Sequence, residues 1–362
     1  MFDFTELESL HLEITNNCQA SCPMCTRNIH GGIENPNLQK NGWTLSQYKK
    51  ILNEEVCNQI NKIMFCGNYG DPLLNKNLPD MIEYTLSVNP NIEIRIHTNG
   101  SLRNTEWWKD LGEKLNKKSS VIFAIDGLED THSLYRIGTD YNKIIDNAKA
   151  FIDAGGNASW AFIRFKHNEH QVDEAQRIAK ELGFYEFTLK DSSRWVLEAV
   201  FPVLDSSGEI VYNLEPSTES DIKIIDESII KNYKNILENT EISCHAKHTK
   251  EVYVDAQCHV FPCCWIAMIP YHPPERNDSI IEIRNKINQE YWKIVNDFGG
   301  RRNLNATKKS LRNIVNSVEY QNLWEKYWKE KSIITCARMC GKVKNLYSKP
   351  NDQFVETRNF DE

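Results

Sequence analysis

Six short runs of alternating apolar and polar residues, separated by helical patterns, fill the first two hundred residues and leave few folds open. The runs cover residues 10–15, 62–67, 93–98, 121–126, 159–165 and 184–190. Helical spacing of apolar residues recurs near 44–61, 78–88, 105–116, 141–154 and 169–182. Gly155-Gly156 and Gly183 follow two of these stretches, where a helix ends on a left-handed residue. Such β–α alternation calls for a parallel sheet. Six units are too few to close an eight-stranded barrel, so the expected fold is α/β, an open partial (β/α)6 TIM-like barrel.

Strand parity predicts the two faces of that sheet. One carries Leu12, Ile14, Ile94, Ile96, Phe123, Ile125, Ile163, Phe165, Phe187 and Leu189, suited to packing against helices. The other carries His11, Glu13, Arg95, His97, Asp126, Arg164, Lys166, Glu186, Thr188 and Lys190. Ordinary parallel barrels fill their interior with branched apolar side chains. A polar inner face implies a wet cavity that takes polar ligands.

Three of the eleven cysteines, Cys18, Cys22 and Cys25, follow the first strand with the spacing C-x3-C-x2-C. Three thiolates so close can hold three irons of a cubane 4Fe–4S cluster. The fourth iron then lacks a protein ligand, and an open metal position is where a small molecule binds and reacts, as at catalytic zinc sites. Half of a structural zinc site is the alternative; no nearby fourth ligand completes its tetrahedron. No secretion signal is present, so the cysteines point to metal ligation or catalysis rather than to disulfides.

The chain has 362 residues, enough for two domains. Its net charge of −7 argues against nucleic acid as a partner. It has no apolar run of about 18 residues. The acidic N-terminus lacks a signal-peptide core, so the default location is cytoplasmic. The pattern changes near Pro202, where Asp205-Ser206-Ser207-Gly208 and Glu215-Pro216-Ser217 mark a loop-rich boundary. The reading places a core domain at 1–203 and a cysteine-bearing α+β domain at 204–362.

The cysteine motif and the segments after the next three strands together resemble the radical S-adenosylmethionine (radical SAM) superfamily. Met24 stands between two of the cysteines, in the slot the family places against the SAM adenine. Gly67-Asn68-Tyr69-Gly70-Asp71-Pro72 resembles the family's GGE-P motif, with Asp71 in the usual Glu slot. By resemblance, carbonyls there and the Asp71 carboxylate receive the SAM ammonium, with Gly70 part of the contact. His97-Thr98-Asn99-Gly100 matches the T-N-G segment, which puts Thr98 and Asn99 near the SAM ribose and methionine. Ala124-Ile125-Asp126-Gly127, then His132, Tyr135-Arg136 and Gly138, resemble the S-x-D-G…H…Y-R…G stretch of maturase-type members. Asp126 and Arg136 join the implied SAM set, Arg136 pairing with the SAM carboxylate; Ala124 removes one hydroxyl contact. A surface ion pair is the plainer reading of Arg136.

The second region resembles the SPASM/twitch auxiliary domain. Cys244, the 252–263 hairpin with Pro262-Cys263, and Cys336 with Cys340 imply four thiolates for a second, auxiliary 4Fe–4S cluster. Cys258 occupies a position that is Gly in the family. Either it or Cys264 could stand in as ligand, and structural zinc is the competing use of four cysteines. Cys57 and Cys66 read as buried structural thiols. The implied activity is reductive SAM cleavage and hydrogen abstraction, supplied by an external one-electron reductant of the flavodoxin or ferredoxin type. The substrate would be a peptide or a small molecule. The first strand begins by Leu10, which speaks against a built-in leader-peptide domain. A non-enzymatic iron–sulfur electron carrier or scaffold is the alternative function.

Overall fold

Strand β1, Ser9–Leu12, lies inside a nine-stranded sheet. The computed structural model describes residues 1–195, 199–222, 232–274, 278–342 and 354–360. After β1 come a small hairpin, β2 (Asn28–Ile29) and β3 (Ile33–Glu34), then β4 (Lys62–Phe65), β5 (Glu93–Thr98), β6 (Ser120–Ala124), β7 (Asn157–Arg164) and β8 (Glu186–Asp191). A second hairpin pairs β9 (Phe201–Leu204) with β10 (Ile210–Leu214). Strands β11 (Glu251–Val254), β12 (Val260–Phe261) and β13 (Phe354–Asn359) complete the described set. The sheet order is β12-β11-β1-β4-β5-β6-β7-β8-β13. Its β11-to-β8 part is parallel, and β12 and β13 add antiparallel edges. This is the expected α/β class with a central parallel sheet, consistent with a partial TIM-like barrel.

The six predicted strands are the six central ones. The sheet is extended by β11, a strand of the cysteine-bearing C-terminal region, which pairs with β1 from Ser9↔Glu251 to Leu12↔Val254. The two regions therefore share one sheet and one hydrophobic core. The expected boundary at 203/204 falls within the β9–β10 hairpin.

Local signals set the helix ends. Thr44 and Gln47 form a capping box before Leu45–Ile51, and the side chains of Asn53, Asn104 and Asp140 accept from the first turns of their helices. Gly183 ends Val172–Leu182 with φ of 85°, a conformation that favours glycine. No helix among the described residues is long and apolar enough to cross a membrane.

The parity reading holds along β5 and β6, with β4 alternating in the same way, and fails along β7. Ile63, Phe65, Ile94, Ile96, Val121 and Phe123 are fully buried on the helix side. Their neighbours Met64, Cys66, His97, Ile122 and Ala124 keep partial exposure, as residues lining a wet lumen do. On β7 it is Trp160 and Phe162 that pack with Phe184 and Phe187 on the helix side. Ile163 and Phe165, expected there, instead join a second apolar cluster around the first cysteines. Arg164 and Lys166 thereby leave the lumen. Arg164 pairs with its register neighbour Asp191 at 3.1 Å, and Lys166 with Glu215 on the surface. A one-residue slip inverts every facing in a strand, and the larger Trp160 and Phe162 take the deeper sites.

Candidate active site

The cysteine loop leaves β1 at the end of the sheet where the strands finish. Cys18, Cys22 and Cys25 sit with Ala20, Met24, Tyr135, Phe165 and Trp195 in the second apolar cluster, and Val203 and Leu214 of the β9–β10 hairpin complete it. Burial raises the thiols of Cys18 and Cys22 above the ordinary cysteine range. They stand as neutral thiols until a metal displaces their protons.

Three loops from neighbouring strand ends converge on these thiols. Asp71 accepts hydrogen bonds from Leu73 N at 3.0 Å, Thr98 Oγ1 at 2.8 Å, Asn99 N at 2.9 Å and Asn99 Nδ2 at 2.6 Å. Oδ2 takes three of these donors and Oδ1 takes Leu73 N, so Asp71 ties two loops together. Asn99 Nδ2 also lies 3.9 Å from Cys18 Sγ, and Asn99 Oδ1 accepts from Gln19 Nε2 at 2.7 Å. Gly70 has room for no side chain: a Cβ there would stand 1.9 Å from Thr15 O.

Asp126 and Arg136 form a buried ion pair, with side-chain exposures of 0% and 17%. The plainer reading of Arg136 as a surface pair is excluded. Asp126 Oδ2 takes Arg136 Nε, and Oδ1 accepts Ile163 N at 2.6 Å. Arg136 Nη1 points at Cys22 Sγ, 3.8 Å away. Two of the five guanidinium N–H groups are thus engaged, leaving a cationic fork beside the cysteine loop. His132 fixes the turn between them. Its Nδ1 accepts from Asp126 N at 3.2 Å, so Nε2 carries the proton and donates to Thr139 Oγ1 at 2.9 Å. Burial lowers this imidazole to about 3, which keeps it neutral.

Met24 is held by residues that the sequence reading did not single out. Ser192 Oγ lies 3.3 Å from Met24 Sδ, and Arg194 Nη1 donates to Met24 O at 2.7 Å. Both follow β8 at the same sheet end. A polar run directly after a strand, at the end where barrel sites gather, is the signal that finds them. Deeper in the lumen, burial lowers His11 to about 4 and His97 to about 3, and raises Glu13 to about 7.

The second cysteine group also converges. Cys244, Cys263, Cys336 and Cys340 line one apolar cavity, walled by Trp265 and Trp328. Cys244 begins the short helix His245–His248 and Cys263 begins Cys264–Ala267. Cys336 and Cys340 are one turn apart on Ile334–Cys340. The Cys244 thiol is raised first by its hydrogen bond with Cys340 and then by burial. Trp328, on the cavity wall, hydrogen-bonds the Cys336 sulfur, and Tyr320 Oη, near Cys244 and Cys263, is a buried donor with no hydrogen-bond partner among the described residues. Cluster sulfurs are acceptors, so this donor set fits an iron–sulfur group. Cys258 is not on the cavity wall; it is buried in the main core at φ of 67°, a left-handed turn position that favours glycine. Cys264 lies outside the cavity too, with Cys66 and Glu13 nearby. Cys57 is fully buried, as expected. Among the described residues no three His, Cys, Asp or Glu side chains converge tightly enough for a single ion.

Residues 12–182 match the Radical SAM superfamily. That stretch contains the three cysteines, all three loops and the Asp126–Arg136 pair. The match covers just under half of the 362 residues. It is 30% identical over 142 residues to GTP 3',8-cyclase of Clostridium acetobutylicum, across 39% of this chain and 42% of the relative. The chain thus spans under half the length of that curated relative. In fold it is similar to Streptococcus suis SuiB bound to precursor peptide SuiA, with TM-score 0.53 and 14% identity over 87% of this chain and 66% of SuiB. It is also similar to native anSMEcpe with bound AdoMet and the Cp18Cys peptide, with TM-score 0.51 and 15% identity over 97% and 92% of the two chains. These neighbours share the mixed α/β fold around a central parallel sheet.

Proposed function

We propose that this chain is a radical SAM enzyme that holds a 4Fe–4S cluster on Cys18, Cys22 and Cys25 and abstracts hydrogen from a substrate in the barrel lumen. The bound cluster and SAM supply a 5′-deoxyadenosyl radical when one electron is delivered by a reduced flavodoxin or ferredoxin. The chain's part is to bind, orient and exclude water. The observation that carries the reading is the convergence of Asn99 on Cys18 and of Arg136 on Cys22 within the stretch that matches the Radical SAM superfamily. In this reading the free fork of Arg136 receives the SAM carboxylate, Gly70 lets the loop carbonyls approach the ammonium, and Thr98 and Asn99 face the ribose and methionine. Met24, pinned by Ser192 and Arg194, packs against the adenine. The apolar shell with its β9–β10 roof keeps solvent and oxygen from the iron.

The second site would hold a SPASM/twitch-type auxiliary cluster on Cys244, Cys263, Cys336 and Cys340. Four thiolates leave it no open iron, so its role is to take the electron left on the oxidised substrate. The net reaction is then a two-electron oxidation. A peptide substrate is supported by the two peptide-bound neighbours; the partly exposed lumen beside Cys66, His97 and Lys190 also suits a polar small molecule. A cluster-bearing electron carrier would need no lumen.

Iron and sulfide analysis after anaerobic reconstitution tests the two sites separately. The full chain should hold about eight irons, and Cys22→Ala or Cys336→Ala about four each. One or two zinc ions in place of iron would overturn the assignment.

A further inference from the structure

We propose that Glu13 is a positioning residue that couples the auxiliary cysteine site to the Gly67–Gly70 loop, so that ligation at Cys263 tightens SAM binding. This rests on the function reading above.

Glu13 directly follows β1 and is buried. Its Oε1 accepts Tyr69 N at 2.8 Å and Gly70 N at 3.4 Å, holding the loop that borders the cysteine motif. Its Oε2 accepts Tyr253 Oη at 2.6 Å. Tyr253 belongs to β11, whose hairpin leads to Cys263. The loop's side chains reach the same region. Asn68 Nδ2 donates to Tyr253 Oη at 3.2 Å and to Cys264 O at 3.1 Å. Tyr69 Oη donates to Met268 O at 2.9 Å. Both carbonyls bracket the single-turn helix Cys264–Ala267, which starts at Cys263.

The loop is tied at its other end to the first cysteine site, because Asp71 N donates to Asn17 O at 2.9 Å. A continuous set of hydrogen bonds thus runs from the Cys263 turn through Tyr253 and Glu13 to Gly70 and Asp71. A helix this short depends on its surroundings, and in this proposal ligation at Cys263 is what fixes it, making it the element through which the two sites are coupled. By reciprocity, SAM must tighten the auxiliary site by the same factor.

The test uses the full chain, reconstituted anaerobically, with SAM as the probe in equilibrium dialysis. Cys263→Ala should weaken SAM binding about tenfold, within the usual range of coupling between sites. Glu13→Gln, which keeps the shape, should weaken it comparably. In the double variant the Cys263 effect should vanish, because neighbours in one network are non-additive. Hydrogen exchange over residues 67–71 is read in parallel without SAM and should speed up in Cys263→Ala and in Tyr253→Phe, with thermal melting as the folding control. Unchanged SAM affinity in Cys263→Ala, or strictly additive effects, would overturn the coupling. Failure of the unsubstituted protein to bind SAM would sink the function reading, and exchange at 67–71 unaffected by Cys263→Ala would sink the coupling by itself.

Discussion

Replacing Arg136 by alanine should destabilise the protein by about 3–5 kcal/mol, because it strands a buried carboxylate. Asp126 has no solvent exposure, and the alternative acceptor roles of its two oxygens are already set by Ile163 N and Arg136 Nε. Without the guanidinium, burial, the largest influence on the carboxyl, pushes it towards the protonated form against only the Ile163 hydrogen bond and the Lys190 charge. Protonation would then disturb the Ile163 and His132 contacts that shape the turn. Urea denaturation of the full chain measures the loss. Arg136→Lys should recover part of the stability, since it restores the charge, and none of the forked contact that reaches Cys22. Equal stability of the alanine variant and the unsubstituted protein would show that the pair contributes nothing.

A single methyl group at Gly70 should cost SAM affinity about a hundredfold, the scale set by a misplacement of about 1 Å. The Cβ of Gly70→Ala would meet Thr15 O at 1.9 Å, with Thr15 C and Asn16 Cα behind it. Every one of those atoms is backbone, so no rotamer can yield. The loop must move away from the cysteine motif, and Asp71 moves with it, along with its four donors on Leu73, Thr98 and Asn99. Equilibrium dialysis with SAM measures the effect, and iron content checks that the cluster site itself survives. Unchanged affinity would mean that the loop does not border the SAM site.

Much of this site was legible because its chemistry sits directly after strands. The C-x3-C-x2-C spacing, Gly70-Asp71 and Thr98-Asn99 each follow an alternating run, and parallel sheets gather such residues at one end. What was hidden depends on contacts distant in sequence. Nothing in residues 251–254 announces that they pair with β1, since strand pairing is set by packing rather than by local pattern. The facing of β7 was misread because Trp160 and Phe162 outcompete Ile163 and Phe165 for the helix side, and parity carries no measure of side-chain size. Asp71 was read as a SAM contact from its motif alone; its hydrogen bonds to Thr98 and Asn99, at the end of the next strand, lie beyond what the motif shows. Glu13 stood on the predicted inner face, but its tie to Tyr253 joins positions 240 apart in the chain.

The most direct test of the account is 5′-deoxyadenosine formation. The full chain, loaded anaerobically with iron and sulfide, is mixed with SAM and dithionite, and the product is quantified beside Cys22→Ala. The account predicts steady accumulation of 5′-deoxyadenosine and methionine from the full chain and none from the variant. SAM left intact by protein that carries its full iron complement and binds SAM would contradict it.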